Sequence, residues 1–221
     1  MNRIFKFLCQ GSIIKTLRLN LHYFGINALF RPRIAVARNV KFGALKGTIE
    51  CPNSLGCCNL GFFKNNGYPL KKGKTYFSNE GSLKITKHLC LGYGASMLIH
   101  EKAVVSIVNC SIGEFSIINI SNGLIIGDKG KISWDVQIMD HDSHKILDMA
   151  TNKAINDSKP IVLGDNVWLC SKSLVMKNAH IMENSILACG SFVSKPIDEP
   201  NCLIVANEVK KRNITSIDEF N

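Results

Sequence analysis

The densest chemistry in the chain lies in Asp140–Ile146, DHDSHKI, where two aspartates and two histidines fall within five positions. Carboxylates and imidazoles so close together allow three readings: a metal site, a proton-transfer site or a solvated turn. All four side chains are competent metal ligands. Alternation in extended chain, however, sends His141 and His144 to opposite sides, which weakens a shared metal. An imidazole titrates near neutrality without special tuning, so either histidine suits removal of a proton from an attacking hydroxyl. The nine cysteines add no second centre. They are scattered, odd in number and without a C-x-x-C pair, and read as free, mostly buried thiols of a reducing compartment. Cys170 and Cys189 have no histidine beside them in sequence, so no nucleophile is assigned.

What must position DHDSHKI is a strict period of six. From Leu163 the chain reads LGDNVW LCSKSL VMKNAH IMENSI LACGSF VSKPI. An aliphatic residue opens each unit (Leu163, Leu169, Val175, Ile181, Leu187, Val193), and the fifth place is nearly always small: Val167, Ser173, Ala179, Ser185, Ser191, then Ile197. Helices and strand ladders do not repeat every six residues; a β-solenoid does, with each hexapeptide one flat side of a coil and its first residue turned inward. The same phase runs through Ile126, Ile132 and Ile138, through Ile112 and Ile118, and through Ile85, Leu91 and Met97. Residues 64–81 have turn composition and no period. A second polar loop at 145–160 breaks the stack directly after the His/Asp cluster.

At 221 residues, 46% hydrophobic and 20% charged, the chain can bury a substantial core. Its net charge of +10 suits polyanionic partners: nucleic acid, an anionic membrane surface or a phosphate-rich ligand. Few aromatics accompany the basic residues, which disfavours nucleic acid. Residues 1–33 hold Ile14, Leu17, Leu21, Phe24 and Ala28 at helical spacing, an amphipathic helix expected to pack on the body or, failing that, to lie on a membrane through its basic flank. No apolar run reaches the roughly 20 residues that span a bilayer, and a cytoplasmic protein, at most peripheral at the inner face of the membrane, is expected.

These features resemble the hexapeptide-repeat acyltransferases, and within them the branch that O-acetylates capsular and lipopolysaccharide sugars, related to the maltose and galactoside acetyltransferases. The likeness rests on IGDKGKISWDVQIMDHDSHKI, the loop after it, and KPIVLGDNVWLCSKSLVMKNAHIMENSILACGSFVSK, with weaker support from IIKTLRLNLHYF, LKGTIECP and VKKRNIT. It implies an all-β, left-handed parallel β-helix over 34–200, preceded by the helical segment and followed by a tail at 201–221. It also implies a homotrimer and transfer of acetyl from acetyl-CoA to a sugar or glycan hydroxyl, with no metal. His144 falls where these enzymes carry their general base, with Asp142, Asp140 or a backbone carbonyl to orient its ring. Asp140, His141 and Trp134 fall on the acceptor side. The donor site maps to Trp168, Ser171, Lys172, Ala188, Cys189, Ser191, Lys195 and the basic run Lys210, Lys211, Arg212. Two departures stand out: Cys170 replaces a usual glycine, and Ala206–Val209 (ANEV) replaces a Gly-Asn-Pro-Ala turn. They motivate a rival expectation, a catalytically silent scaffold in polysaccharide assembly. A serine acetyltransferase is disfavoured because only about 33 residues precede the first plausible coil.

Overall fold

The computed structural model describes residues 3–63 and 73–216, with side chains from residue 7 onward. Parallel strands wind as a coil with three flat faces. The first face stacks Gly130–Ile132, Trp168–Leu169, Ile186–Leu187 and Cys202–Val205 beneath the later half of Val104–Ile112. The second carries Ser96–Ile99, Ile117–Ile120, Gln137–Met139, Leu174–Met176 and Phe192–Val193. The third carries the earlier half of Val104–Ile112, then Gly123–Ile126, Ile161–Leu163, His180–Ile181 and Pro196–Ile197.

The period of six is visible in every rung. On the first face Ile112, Ile132, Leu169, Leu187 and Ile204 lie directly over one another, and all are buried. Met97, Ile118, Ile138, Val175 and Val193 do the same on the second face, and Ile107, Ile126, Leu163, Ile181 and Ile197 on the third. The three ladders meet along the axis and form one continuous core. Small fifth-place residues such as Ser173, Ala179 and Ser185 are equally buried, because they sit where the chain bends into the next face.

The fourth place of the unit holds the corner itself. Phe115, Lys129, Asp135, Asn166, Lys172, Asn178, Asn184 and Gly190 all have φ between 54° and 69°. A left-handed residue at this point folds the strand back in one step, and three of the eight are asparagine, the side chain that tolerates that region best after glycine. Glycine at the second place answers a different need. A Cβ on Gly113 would lie 2.5 Å from the Ser133 carbonyl of the next coil, closer than atoms can pack.

The structure departs from the sequence reading in four places. Residues 64–72 of the expected 64–81 loop lie outside the described residues, but Thr75–Asn79 is a strand of the second face, paired with both Val40–Phe42 and Ser96–Ile99. Ile197, assigned to a small fifth place, stands under Ile181 in the third ladder, because the Ser194–Lys195 corner is two residues shorter than its counterparts. The region taken as a C-terminal tail contributes a last parallel strand, Cys202–Val205, and an antiparallel one, Glu208–Arg212. These are joined by Ala206 and Asn207, both at positive φ, the geometry of a tight hairpin turn.

The fourth departure is the N-terminal helix. Ile13–Phe24 fully buries Thr16, Leu19 and Asn20, and only part of the expected apolar stripe packs. Ile14 and Leu21 from that stripe face outward, Leu17 is half-buried, Phe24 packs partly buried against the core and Ala28 is buried. Polar chemistry explains the choice. Ile34–Val36 is the edge strand of the first coil, and its backbone groups need partners. The Asn20 amide donates to the carbonyls of Thr16 and Ile34, both at 2.7 Å, and its oxygen accepts from the N–H groups of Arg33 (2.7 Å) and Ile34 (3.1 Å). The Thr16 hydroxyl accepts from Val36 N–H at 3.1 Å. The helix thus closes the open end of the coil with hydrogen bonds.

Truncating one rung of a ladder leaves a cavity that rungs above and below cannot fill. Leu169→Ala is expected to cost about 2–5 kcal/mol, read as a lower urea midpoint at unchanged slope.

Candidate active site

The regular coil breaks at Asp140. Its backbone occupies the inward slot that Ile120 fills one coil earlier, and its side chain is fully buried. The carboxylate accepts hydrogen bonds from the backbone N–H groups of Ser121 (2.7 Å), Asn122 (2.7 Å) and Gly123 (2.8 Å), and from the Ser121 hydroxyl at 3.3 Å. In an unbroken coil those amides would meet the carbonyls of the next corner. Here the chain leaves the prism instead, and Asp140 substitutes for the missing corner. The sequence reading placed this residue on the acceptor side; its oxygens are buried and engaged with backbone, so it does not face a substrate.

From that point residues 141–160 project at the corner between the second and third faces. The loop has its own architecture: Leu147 bridges Ala154 in antiparallel fashion, and Asp148 caps the turn between them through the N–H groups of Ala150 (2.9 Å) and Thr151 (2.8 Å). These hydrogen bonds, led by those from Thr151, hold the Asp148 carboxyl below its usual range. At the base of the loop Ser143 sits at φ 63°, and His144 N–H donates to the Asp142 carbonyl at 2.7 Å. A positive φ bracketed by a hydrogen bond across two residues is a tight and strained turn, of the kind that accumulates at functional sites.

That turn is held by a clamp that sequence reading missed. Lys177, from the next coil, pairs with the Asp142 carboxylate and also donates to the Asn156 carbonyl at 3.1 Å. The Asn156 amide donates to both the Asp142 carboxylate (2.8 Å) and the His144 carbonyl (2.7 Å), while its oxygen accepts from Ile146 N–H at 2.7 Å. Hydrogen bonding to Lys177 and then Asn156 keeps the Asp142 carboxyl below its ordinary value. The expected contact of Asp142 with the His144 ring is therefore replaced by an indirect one, through Asn156 and the backbone. The His144 ring is exposed. Asp142, Asn156, Lys159, Lys177, Asn178 and Ser194 line an open cleft of about 470 Å³ at the base of the loop, and His144 is not part of its lining.

His141 takes the opposite direction. Its Nδ1 accepts from Ser143 N–H at 3.0 Å, and its ring meets His100 edge-on with centroids 5.5 Å apart. Its Nε2 is buried and has no hydrogen-bond partner among the described residues. His100 lies two rungs away and in turn contacts the Asn119 side-chain oxygen at 2.8 Å through Nε2. No group of three or more potential ligands gathers as a metal site among the described residues.

The residues mapped to a donor site separate into three places. Trp168 lies on the first face and donates through Nε1 to the Ser133 hydroxyl at 3.0 Å; Ser171, Lys172, Ala188 and Cys189 stack at the corner between first and second faces, where Ser171 Oγ and Cys189 Sγ are 3.3 Å apart. Trp134 occupies the same corner one coil above, its carbonyl accepting from Lys172 N–H at 3.2 Å. Ser191 belongs to this corner but is turned inside it, so its side chain presents nothing to a ligand. Lys195 stands at the other corner, below the loop. Lys210, Lys211 and Arg212 lie on the terminal antiparallel strand, with Lys210 paired to Glu208 (2.6 Å) and Arg212 forked onto Glu199. Burial, then the neighbouring Cys189, pushes the Cys170 thiol up to about 11, which makes it a poor nucleophile. Within one chain His144 and the Ser171–Cys189 corner do not converge, because they stand at different corners of the prism.

No family model matches the chain. Among curated proteins it is 26% identical over 213 residues, 93% of this chain and 87% of the relative, to an uncharacterized 24.8 kDa protein in the cps region of Klebsiella pneumoniae. Among solved structures it resembles the polySia-specific acetyltransferase NeuO, with a TM-score of 0.57, 19% identity and coverage of 84% of this chain and 78% of that one. The polysialic acid O-acetyltransferase OatWY has a TM-score of 0.48 and 18% identity, covering 85% of this chain and 92% of that one.

Two tests address the geometry. Asp140→Ala strands three backbone donors and is expected to cost about 3 kcal/mol or more, measured by chemical denaturation. The Asp142 clamp has a depressed carboxyl, so its contribution is complete above the ordinary aspartate value of about 3.9 and fades as pH falls through the lower folded value. Amide protection across 141–156 is expected to drop in that acid window, and Lys177→Met to lower it already at neutral pH, in exchange read by mass spectrometry. Taken together, the in-phase ladders on three faces and the likeness to NeuO identify the fold as a left-handed parallel β-helix built from hexapeptide repeats.

Proposed function

We propose that this protein transfers an acetyl group from acetyl-CoA to a hydroxyl of a sugar in surface-polysaccharide synthesis, with His144 as general base. The observation that carries the reading is an exposed imidazole held where the loop at 141–160 interrupts the coil. The turn at Ser143 and the Asp142–Asn156–Lys177 clamp fix its backbone and leave its ring accessible. Support comes from the shared fold with an acetyltransferase and from the relative encoded in a cps region.

The chemistry needs a base within reach of the acceptor hydroxyl and a thioester opposite it. As the oxygen attacks the thioester carbonyl, His144 takes its proton; the tetrahedral intermediate then expels the CoA thiolate, which regains a proton. No covalent enzyme intermediate is required, consistent with the raised Cys170 thiol. A homotrimer supplies the missing convergence: the Trp168–Ser171–Cys189 corner of one subunit would face the His144 corner of its neighbour, with Lys172 and the Lys210–Arg212 strand available to the CoA phosphates. Exposed Val104, Ile117, Ile125 and Phe192 on the flat faces, and Ile146, Leu147, Met149 and Ile155 on the loop, give such packing apolar surface to bury. Asp142 acts here as a positioning residue, and Trp134, at the donor-side corner, is offered to the acceptor across the same boundary.

The scaffold alternative draws on the lost glycines: Ala206, in place of one of them, is held at φ 48°, a conformation that favours glycine. Cys170 does not need positive φ, and the Ala206–Asn207 turn is anchored by Asn207 N–H donating to the Phe192 carbonyl at 2.9 Å and its side-chain oxygen accepting from Ser194 N–H at 2.9 Å. The two readings part on one measurement. His144→Ala is expected to lower acetyl transfer about 10²–10⁴-fold with acetyl-CoA binding by calorimetry and the sedimenting mass unchanged. Turnover retained in that variant removes His144 from the base role, and absence of CoA binding in the native protein favours the scaffold.

A further inference from the structure

The positive charge of this protein is concentrated at one end. The first 49 residues contain nine Lys and Arg and no Asp or Glu, whereas the rest of the chain has 18 Lys and Arg against 17 Asp and Glu. Nearly all of the +10 net charge therefore belongs to the segment that forms the helices and first strands. The same segment carries the largest exposed apolar side chains of the N-terminal region: Leu8, Ile13, Ile14, Leu21, Ile26 and Phe30, with Ile14 80% and Phe30 88% exposed. These residues are outside for the reason found above: Thr16 and Asn20 hold the polar face of the helix against the edge strand. Arg18 lies one turn from both Ile14 and Leu21, and Arg31 follows Phe30; both are exposed, with no ion pair among the described residues.

We infer that this end of the molecule docks on a bilayer surface bearing anionic headgroups, with the Ile13–Phe24 helix lying in the interface plane. An apolar face flanked by cations and free of carboxylates matches the boundary between acyl chains and anionic headgroups, and each basic residue adds attraction there. A second copy of the chain is a poor occupant, because it would bring an equally cationic surface against this one. No helix is long and apolar enough to cross a membrane among the described residues, so the contact is peripheral. The inference stands whether or not the chain is an acetyltransferase. For a glycan enzyme it would place the prism beside lipid-linked acceptors.

The test is co-sedimentation of the full chain with vesicles of phosphatidylcholine alone and of phosphatidylcholine with about 30 mol% phosphatidylglycerol. Partitioning onto the anionic vesicles is expected to exceed that onto neutral ones at least about tenfold, and to fall as salt is raised from about 0.05 to 0.5 M. The double variant Ile14→Asp, Phe30→Asp alters side chains that support no buried contact; it is expected to lose binding at least about tenfold with its thermal unfolding unchanged. Equal partitioning onto both vesicle types, undiminished binding of the variant, or a variant whose only change is in self-association by sedimentation velocity would each overturn it.

Discussion

A β-helix satisfies its backbone hydrogen bonds only by stacking: each coil supplies partners for the coil above and below and for nothing else. Wherever the stack stops, a row of N–H and C=O groups is left without water-free partners, and three separate devices in this protein answer that constraint. Asn20 and Thr16 close the first edge, Asp140 closes the break before the loop, and the antiparallel strand Glu208–Arg212 covers the last edge at Cys202–Val205. Each device uses polar atoms at a position where an apolar repeat would leave donors buried and unpaired.

The candidate site is a consequence of the middle device. Because the Asp140 carboxylate completes the corner Ser121–Gly123, the chain is free to leave the prism for about twenty residues without opening the core. The loop then needs its own anchorage, and Lys177 and Asn156 provide it at its base. A rigid stack below, a strained turn at Ser143 and an ion pair to the next coil leave His144 with a fixed backbone and an accessible ring. The N-terminal device has a consequence of the same kind. By docking through polar atoms, the helix turns Ile14, Leu21 and Arg18 outward together, while Lys15 donates to the Arg38 and Val40 carbonyls.

Much of this was legible in the sequence, and the reasons differ by element. The hexapeptide phase from Leu163 to Val193 needs no tertiary information, since an inward residue every six positions fits a solenoid and little else. The loop at 145–160 and the importance of DHDSHKI are marked by the interruption of that phase. Thr75–Asn79 escaped because its residues are buried in nearly every position, so no alternation marks it against the turn-rich sequence before it. The strand in 201–221 escaped because the two-residue deletion at Ser194–Lys195 shifts the phase and makes the residues beyond that corner look aperiodic. Lys177 and Asn156 could not be read at all: they lie 35 and 14 positions from Asp142, and only the coil pitch and the return of the loop bring them together.

What the sequence determined by itself was the repeat, and with it the class of fold, because burial at a fixed interval is a one-dimensional property. What the tertiary structure alone decided was the direction faced by each residue outside the repeat. Asp140 reads as an acceptor-side residue and serves as backbone cap; Ile14 and Leu21 read as core and lie on the surface. In each case the outcome depends on which backbone groups would otherwise go unpaired, and that is known only once the neighbouring coil is in place.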